Sequence, residues 1–140
     1  MVKWIFVYWI DNASPSCLNE DSVRILRNKL ANKYYNAPDV SSFVKIGKDN
    51  CINDEITFDG RYSLVTQGLW ENTKGMQGPF INYTFFDGNT KRVYMVDGSI
   101  NAPDYYKRNL IQQMDVMLKS FKTKAELSQE RQNELLKAAE

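Results

Sequence analysis

Histidine is absent from all 140 residues. Without it there is no Ser-His-Asp triad, no Cys-His nucleophile pair, no imidazole base and no imidazole metal ligand. Cysteine occurs only at positions 17 and 51. Two thiolates cannot complete a four-ligand zinc site, and their spacing is not that of a CxxC redox motif. One structural disulfide, Cys17 to Cys51, and two independent thiols both remain open. An excess of charge is also missing: 18 basic side chains face 17 acidic ones, for a net charge of +1. Nucleic-acid binders carry a basic patch or stripe, and none is visible. No apolar run approaches the ~20 residues of a membrane-spanning helix, and no basic amphipathic helix suits a membrane surface. There is no phosphate-binding GxxxxGK[ST] loop and no internal repeat. Nothing in the chain implies a cofactor or a metal.

Apolar side chains, by contrast, make up 43% of the residues and aromatics 13%, enough to build the core of one domain. The opening MVKWIFVYWI resembles the apolar core of a signal peptide. Asp11 and Pro15 stand where small residues belong, however, and no leucine precedes Cys17 by three positions. Residues 3–10 are therefore read as a strand. Ile5, Val7 and Trp9 lie on one face, and Trp4, Phe6, Tyr8 and Ile10 on the other. With both faces apolar, a central strand covered on both sides is expected. An exposed aromatic platform for bases or sugars is the alternative. The abrupt start in a strand suggests an excised domain or a truncated product.

A helix over 20–35 follows, with Asn19 as its cap and Glu20 and Asp21 at its positive end. Val23, Leu26, Leu30 and Tyr34 form its buried stripe, and Arg24, Arg27, Lys29 and Lys33 its solvated surface. Pro38 ends that region, and residues 43–46 suit a short strand. Residues 47–55 read as a polar turn, since their acids lack the spacing of a calcium loop. Asp59 and Gly60 form a hairpin turn between strands at 56–58 and 62–70. Residues 71–79 read as a loop. Strands at 80–86 and 92–98 form a second hairpin across the turn starting at Asp87. Pro103 opens a second helix with the stripe Tyr106, Leu110, Met114, Met117, Leu118 and Phe121. Thr123 and Glu126 match a capping box, and a third helix over 125–139 has thin apolar content.

The expected fold is α+β: an antiparallel sheet of about five strands with two packed helices and a C-terminal tail helix. By analogy of outline it is similar to the PsbP-like layered sandwich, and fold alone does not give function. Residues 1–123 form one domain, and 124–140 a tail helix or extension.

The segment 68–80 stands out. Gly75 and Gly78 permit unusual backbone paths, and Pro79 stiffens the entry to a strand. As a recognition loop it would present Trp70, Met76, Gln77 and Phe80 to a partner. As scaffold, its glycines would shape a tight crossing with the aromatics packed beneath. A histidine-free hydrolase could use paired carboxylates. Asp59, Asp87, Asp97 and Asp104 are the candidates. Asp59 and Asp87 are accounted for as turn residues and Asp104 as a first-turn acid, which leaves Asp97. The sequons at Asn12 and Asn82 are short patterns to which no role is assigned.

Several runs together resemble a known family. They are Gly68, Leu69 and Trp70; Gly75, Met76, Gln77, Gly78, Pro79 and Phe80; and Tyr83 with Thr84. To these add Val96, Asp97 and Gly98; Ala102 and Pro103; Lys107, Arg108 and Asn109; the strand from Trp4 to Trp9; and Asp21, Ser22 and Val23. The family is the Bacteroidetes domain of unknown function numbered 4837. Gln77 replaces the family's usual glycine. Members resemble exported lipoproteins about twice this length, so the resemblance implies that this chain is a C-terminal half, with the lipidated cysteine upstream. It implies a cell-envelope location, periplasmic or anchored at the outer membrane. An oxidising compartment would favour a Cys17–Cys51 bridge, adding roughly 3–4 kcal/mol in the chain-entropy model. The family has no assigned activity, so no catalytic residue is carried over. The expected function is non-enzymatic: binding of a protein or surface glycan, packing on the upstream half, or self-association to form a homo-oligomer. A carboxylate hydrolase is the alternative.

Overall fold

Turn chemistry sets the sheet. In the computed structural model, which describes residues 2–35, 51–71, 77–101 and 107–140, strand β2 (Cys51–Phe58) turns into β3 (Arg61–Glu71) through Asp59 and Gly60. Their φ angles of 51° and 76° are both left-handed, as a two-residue hairpin matching strand twist requires. Strand β4 (Gln77–Asp87) returns beside β3, and β5 (Arg92–Asn101) beside β4. At the β4–β5 turn, the Asp87 carboxylate accepts from the Asn89 amide at 3.1 Å and the Thr90 hydroxyl at 2.7 Å. The first strand, β1 (Val2–Ile10), pairs antiparallel with β5, giving the order β1-β5-β4-β3-β2.

Helices cover both faces. Helix α1 (Glu20–Tyr35) is capped by Asn19, whose Oδ1 accepts from the Ser22 amide at 2.9 Å. It packs Val23, Leu26 and Leu30 against Phe6, Tyr8, Leu64 and Met95. On the other face α2 (Lys107–Lys119) sets Met114 and Leu118 on Val65, Ile81, Tyr83, Phe85, Val96 and Ile100. Helix α3 (Lys124–Ala138) begins with the expected capping box. Its first turn is tied to β3 by Arg61, whose Nη1 donates to Glu126 at 3.0 Å. Its Leu127, Leu135 and Leu136 are exposed, in keeping with the thin apolar pattern. The described residues thus form an α+β layered fold: a five-stranded antiparallel sheet with two packed helices and a C-terminal helix.

Several expectations are corrected. Strand β1 is not central. It is an edge strand, with Ile5, Val7 and Trp9 exposed by 41%, 36% and 51%. Helix α2 lies over β4 and β5, so the outer row of β1 is left uncovered. Residues 51–55 are not a turn but the start of β2, the other edge. An edge strand is half solvated, so Asn53, Asp54 and Glu55 suit it despite their polarity. Of the loop expected at 71–79, Glu71 and residues 77–79 are strand instead, because β3 and β4 stay paired out to Glu71↔Gln77. Pro79 fits in β4 because pairing with β5 begins only at Phe80, so its missing N–H breaks no ladder there. Met117 leaves the expected α2 stripe and is exposed, while Ile111 packs inward. The expected strand at 43–46 and the expected first turn at Pro103 lie outside the described residues.

Arg27 is the largest departure. Instead of a solvated face it lies at 1% exposure, bound to Asp97 at 0% through Nη2–Oδ2 at 2.9 Å and Nε–Oδ1 at 3.4 Å. The guanidinium also sits 5.2 Å from the centre of the Phe80 ring. Thr66, Asn82, Thr84 and Ser99 are buried on the same side of the sheet, so the layer under α1 is a mixed polar and apolar core.

Burial pushes the Tyr83 hydroxyl pKa well above its ordinary 10.0, and the hydrogen bond it donates to Asp115 pushes the same way. A group raised on folding stabilises the fold fully below its unfolded pKa, and that contribution fades as pH climbs toward the folded value. Stability is therefore expected to fall as pH rises above about 10. Tyr83→Phe should flatten that fall, as followed by circular dichroism alongside tyrosinate absorbance.

Candidate functional site

Trp70, Gly78 and Phe80 turn out to be architecture. Trp70 is 3% exposed; its Nε1 donates to the Ile100 carbonyl at 3.1 Å, and its ring meets Trp4 edge-on at 6.1 Å. A Cβ on Gly78 would lie 2.0 Å from the Ile100 carbonyl oxygen and 2.7 Å from Trp70 Nε1, so glycine is required there by close approach. Phe80 is buried beside Trp70. Neither aromatic is available to a partner, which overturns the loop reading at those two positions. Gln77 is exposed at the start of β4, and Met76 lies outside the described residues.

The cysteines are not bridged. Cys51 opens β2 next to Trp70 and Phe80, whereas Cys17 closes the 3-10 turn Pro15–Cys17. Pro15 and Leu18 line a cleft with Asp59 and Gly60, at the far end of β2. The eight residues of β2 hold the two ends roughly 25 Å apart, and a disulfide needs Cα atoms within about 7 Å.

The acids do not assemble a catalytic pair around Asp97, which is sealed from solvent and bound to Arg27. Asp104 lies outside the described residues. Asp59 and Asp87 do share an open cleft of about 410 Å³ with Glu126, Arg61, Tyr62 and Phe85. Each has structural work there: Asp59 sits in the hairpin turn, Asp87 caps its own turn, and Glu126 holds Arg61 and the Thr123 amide. Among the described residues no group of three or more Cys, Asp or Glu is placed to hold a metal ion. No helix there is long and apolar enough to cross a membrane.

The surface that stands out is the outer row of β1. Lys3 Nζ donates to Gln113 Oε1 at 3.1 Å, which sets the start of the row against the flank of α2. Ile5 and Val7 follow, exposed, and Trp9 ends the row 6.5 Å from the Tyr94 ring. Arg92 lies 5.5 Å from the Trp9 ring and is itself held by Asp11 at 2.7 Å. Met117, one helical turn after Gln113, adds another exposed apolar group to that flank. Among the described residues no strand lies beyond β1 in the sheet. Sequence reading missed this site because a strand apolar on both faces reads as central; the alternation that marks a half-solvated strand is absent.

No curated protein and no solved structure matches the chain. The sequence model described as "Domain of unknown function (DUF4837)" matches residues 1–120, and the chain belongs to that family.

Proposed function

We propose that this domain is a non-enzymatic interaction module of the cell envelope that takes a protein partner along the edge of β1. The observation that carries the reading is the exposed row Ile5, Val7 and Trp9 on a strand that ends the sheet among the described residues. Such an edge binds an extended segment by adding a strand: main-chain hydrogen bonds supply affinity, and alternate side chains supply selectivity. The contrast with β2 supports it. That edge is interrupted by Asn53, Asp54 and Glu55, as edges that avoid pairing are. The envelope location is supported by the resemblance of residues 68–80 to a family of exported lipoprotein-like chains.

A photo-crosslinking residue placed at Val7, with Ile52 on β2 as the control, tests the reading in cells. Protein adducts at position 7 but not at 52, recovered in the envelope fraction, are the expected result. Equal labelling at both positions, or none at 7, would overturn it.

A further inference from the structure

We infer that a buried water is built into the layer beneath α1, held jointly by Arg27, Asn82 and Ser99. The pairing of β4 with β5 sets Asn82 opposite Asp97 and Phe80 opposite Ser99, so these four side chains form one patch on the α1 side of the sheet. Arg27 reaches the patch from α1: its Nη2 lies 2.9 Å from Asp97 Oδ2, and its guanidinium carbon 5.2 Å from the centre of the Phe80 ring. Arg27, Asn82 and Ser99 are all sealed from solvent. Yet Arg27 Nη1, Asn82 Nδ2 and Ser99 Oγ each lack a hydrogen-bond partner among the described residues. A buried polar group left unpaired carries its whole desolvation cost, and native folds leave few of them. Three around one patch point to a shared partner.

The surrounding polar groups are satisfied, which isolates the three. Asn82 Oδ1 accepts from the Thr84 hydroxyl at 2.6 Å, and the Thr66 hydroxyl, next along the sheet, donates to Asn53 at 2.8 Å. The chemistry of the set selects the ligand. Arg27 Nη1 and Asn82 Nδ2 can only donate, so a cation is excluded. Asp97 already balances the charge of Arg27, so a buried anion would stand beside a carboxylate without a cation of its own. A water accepts from Arg27 and Asn82 and donates to Ser99, the three bonds typical of an internal water. Ser99 also makes the room: it is a small side chain set between Trp4 of β1 and Phe80 of β4. The water ties α1 to β4 and β5 at the one guanidinium nitrogen that the bond to Asp97 does not use.

Oxygen-17 relaxation dispersion of the solvent tests this on the 140-residue chain, with circular dichroism to show that each variant folds. The unaltered chain should hold a long-lived water, and Ser99→Val, whose second methyl takes its place, should hold one fewer. Ser99→Ala gives an independent reading by guanidinium unfolding. It should lower the midpoint, because the water loses a partner, whereas deleting a hydroxyl that bonds nothing would raise it. A raised midpoint overturns the inference. A water signal unchanged by Ser99→Val overturns it too, and with a lowered midpoint for Ser99→Ala it would mean that a protein group fills the position. Exchanging chloride for gluconate at fixed ionic strength should leave the midpoint of the unaltered chain in place. A midpoint that climbs with chloride would overturn the water in favour of a bound anion.

Discussion

Arg27→Met is expected to cost the domain about 3–5 kcal/mol, measured by guanidinium unfolding, because it breaks a buried ion pair by removing the guanidinium that faces the Asp97 carboxylate. A loss of that size is a large share of the ~5–15 kcal/mol that holds a typical domain together, so the variant should unfold at much lower denaturant or accumulate poorly. The cause is separable. Asp97→Leu alone strands the guanidinium instead and should be comparably harmful. The pair Arg27→Met with Asp97→Leu removes both charges from a buried site beside the Phe80 ring, and should recover most of the loss. A double variant as unstable as the sum of the singles would mean that shape around the site, not charge pairing, sets the cost.

Gly78→Ala is the second large effect. The added methyl would sit 2.0 Å from the Ile100 carbonyl oxygen, a backbone atom that cannot swing aside. To fit it, β4 must move off β5 or Trp70 must give up its hydrogen bond to that same oxygen. A cost of about 3 kcal/mol is expected, at the upper end for overpacking. Gly98→Ala is the instructive control. Its Cβ would meet Met114 at 2.5 Å, but the obstacle there is a flexible thioether side chain, so about 1 kcal/mol is expected. Tryptophan fluorescence gives a local reading, because Gly78→Ala should alter the Trp4–Trp70 contact and Gly98→Ala should not. Equal effects of the two would show that the sheet absorbs the Gly78 methyl by shifting as a unit.

Much of the fold was legible because its punctuation is local. Asp59 with Gly60 and Asp87 in its turn mark hairpins through short-range chemistry, and Asn19 and Thr123 cap helices in the same way. What escaped depends on long-range position. Whether β1 sits in the middle of the sheet or at its edge is decided by where α2 lands, and no residue of β1 records that. Arg27 had a readable signal: it falls four after Val23 and three before Leu30, inside the buried stripe. Charge outweighed geometry in that reading, since an unpaired arginine belongs at the surface and its partner, Asp97, is seventy positions away. The glycine-rich run at 68–80 was legible as unusual but not as architecture or site, since a glycine required by close packing and one required by a flexible loop look the same in sequence. Burial of Trp70 decides between them at that position.

The strand order carries a consequence for synthesis. β2, β3 and β4 each pair with the next strand to be made, so those hairpins can close within microseconds once their residues are out. β1 emerges first, but its partner β5 comes near the end of the matched family segment. Until β5 is made this apolar strand therefore waits without that ladder, exposed to any other nascent copy. Its capture by β5 closes the longest loop in the sheet, a slow kind of event. Yield in the cell should be governed by how long that strand waits rather than by the stability of the finished fold, and slower growth or added holding chaperones should raise it without any change in sequence.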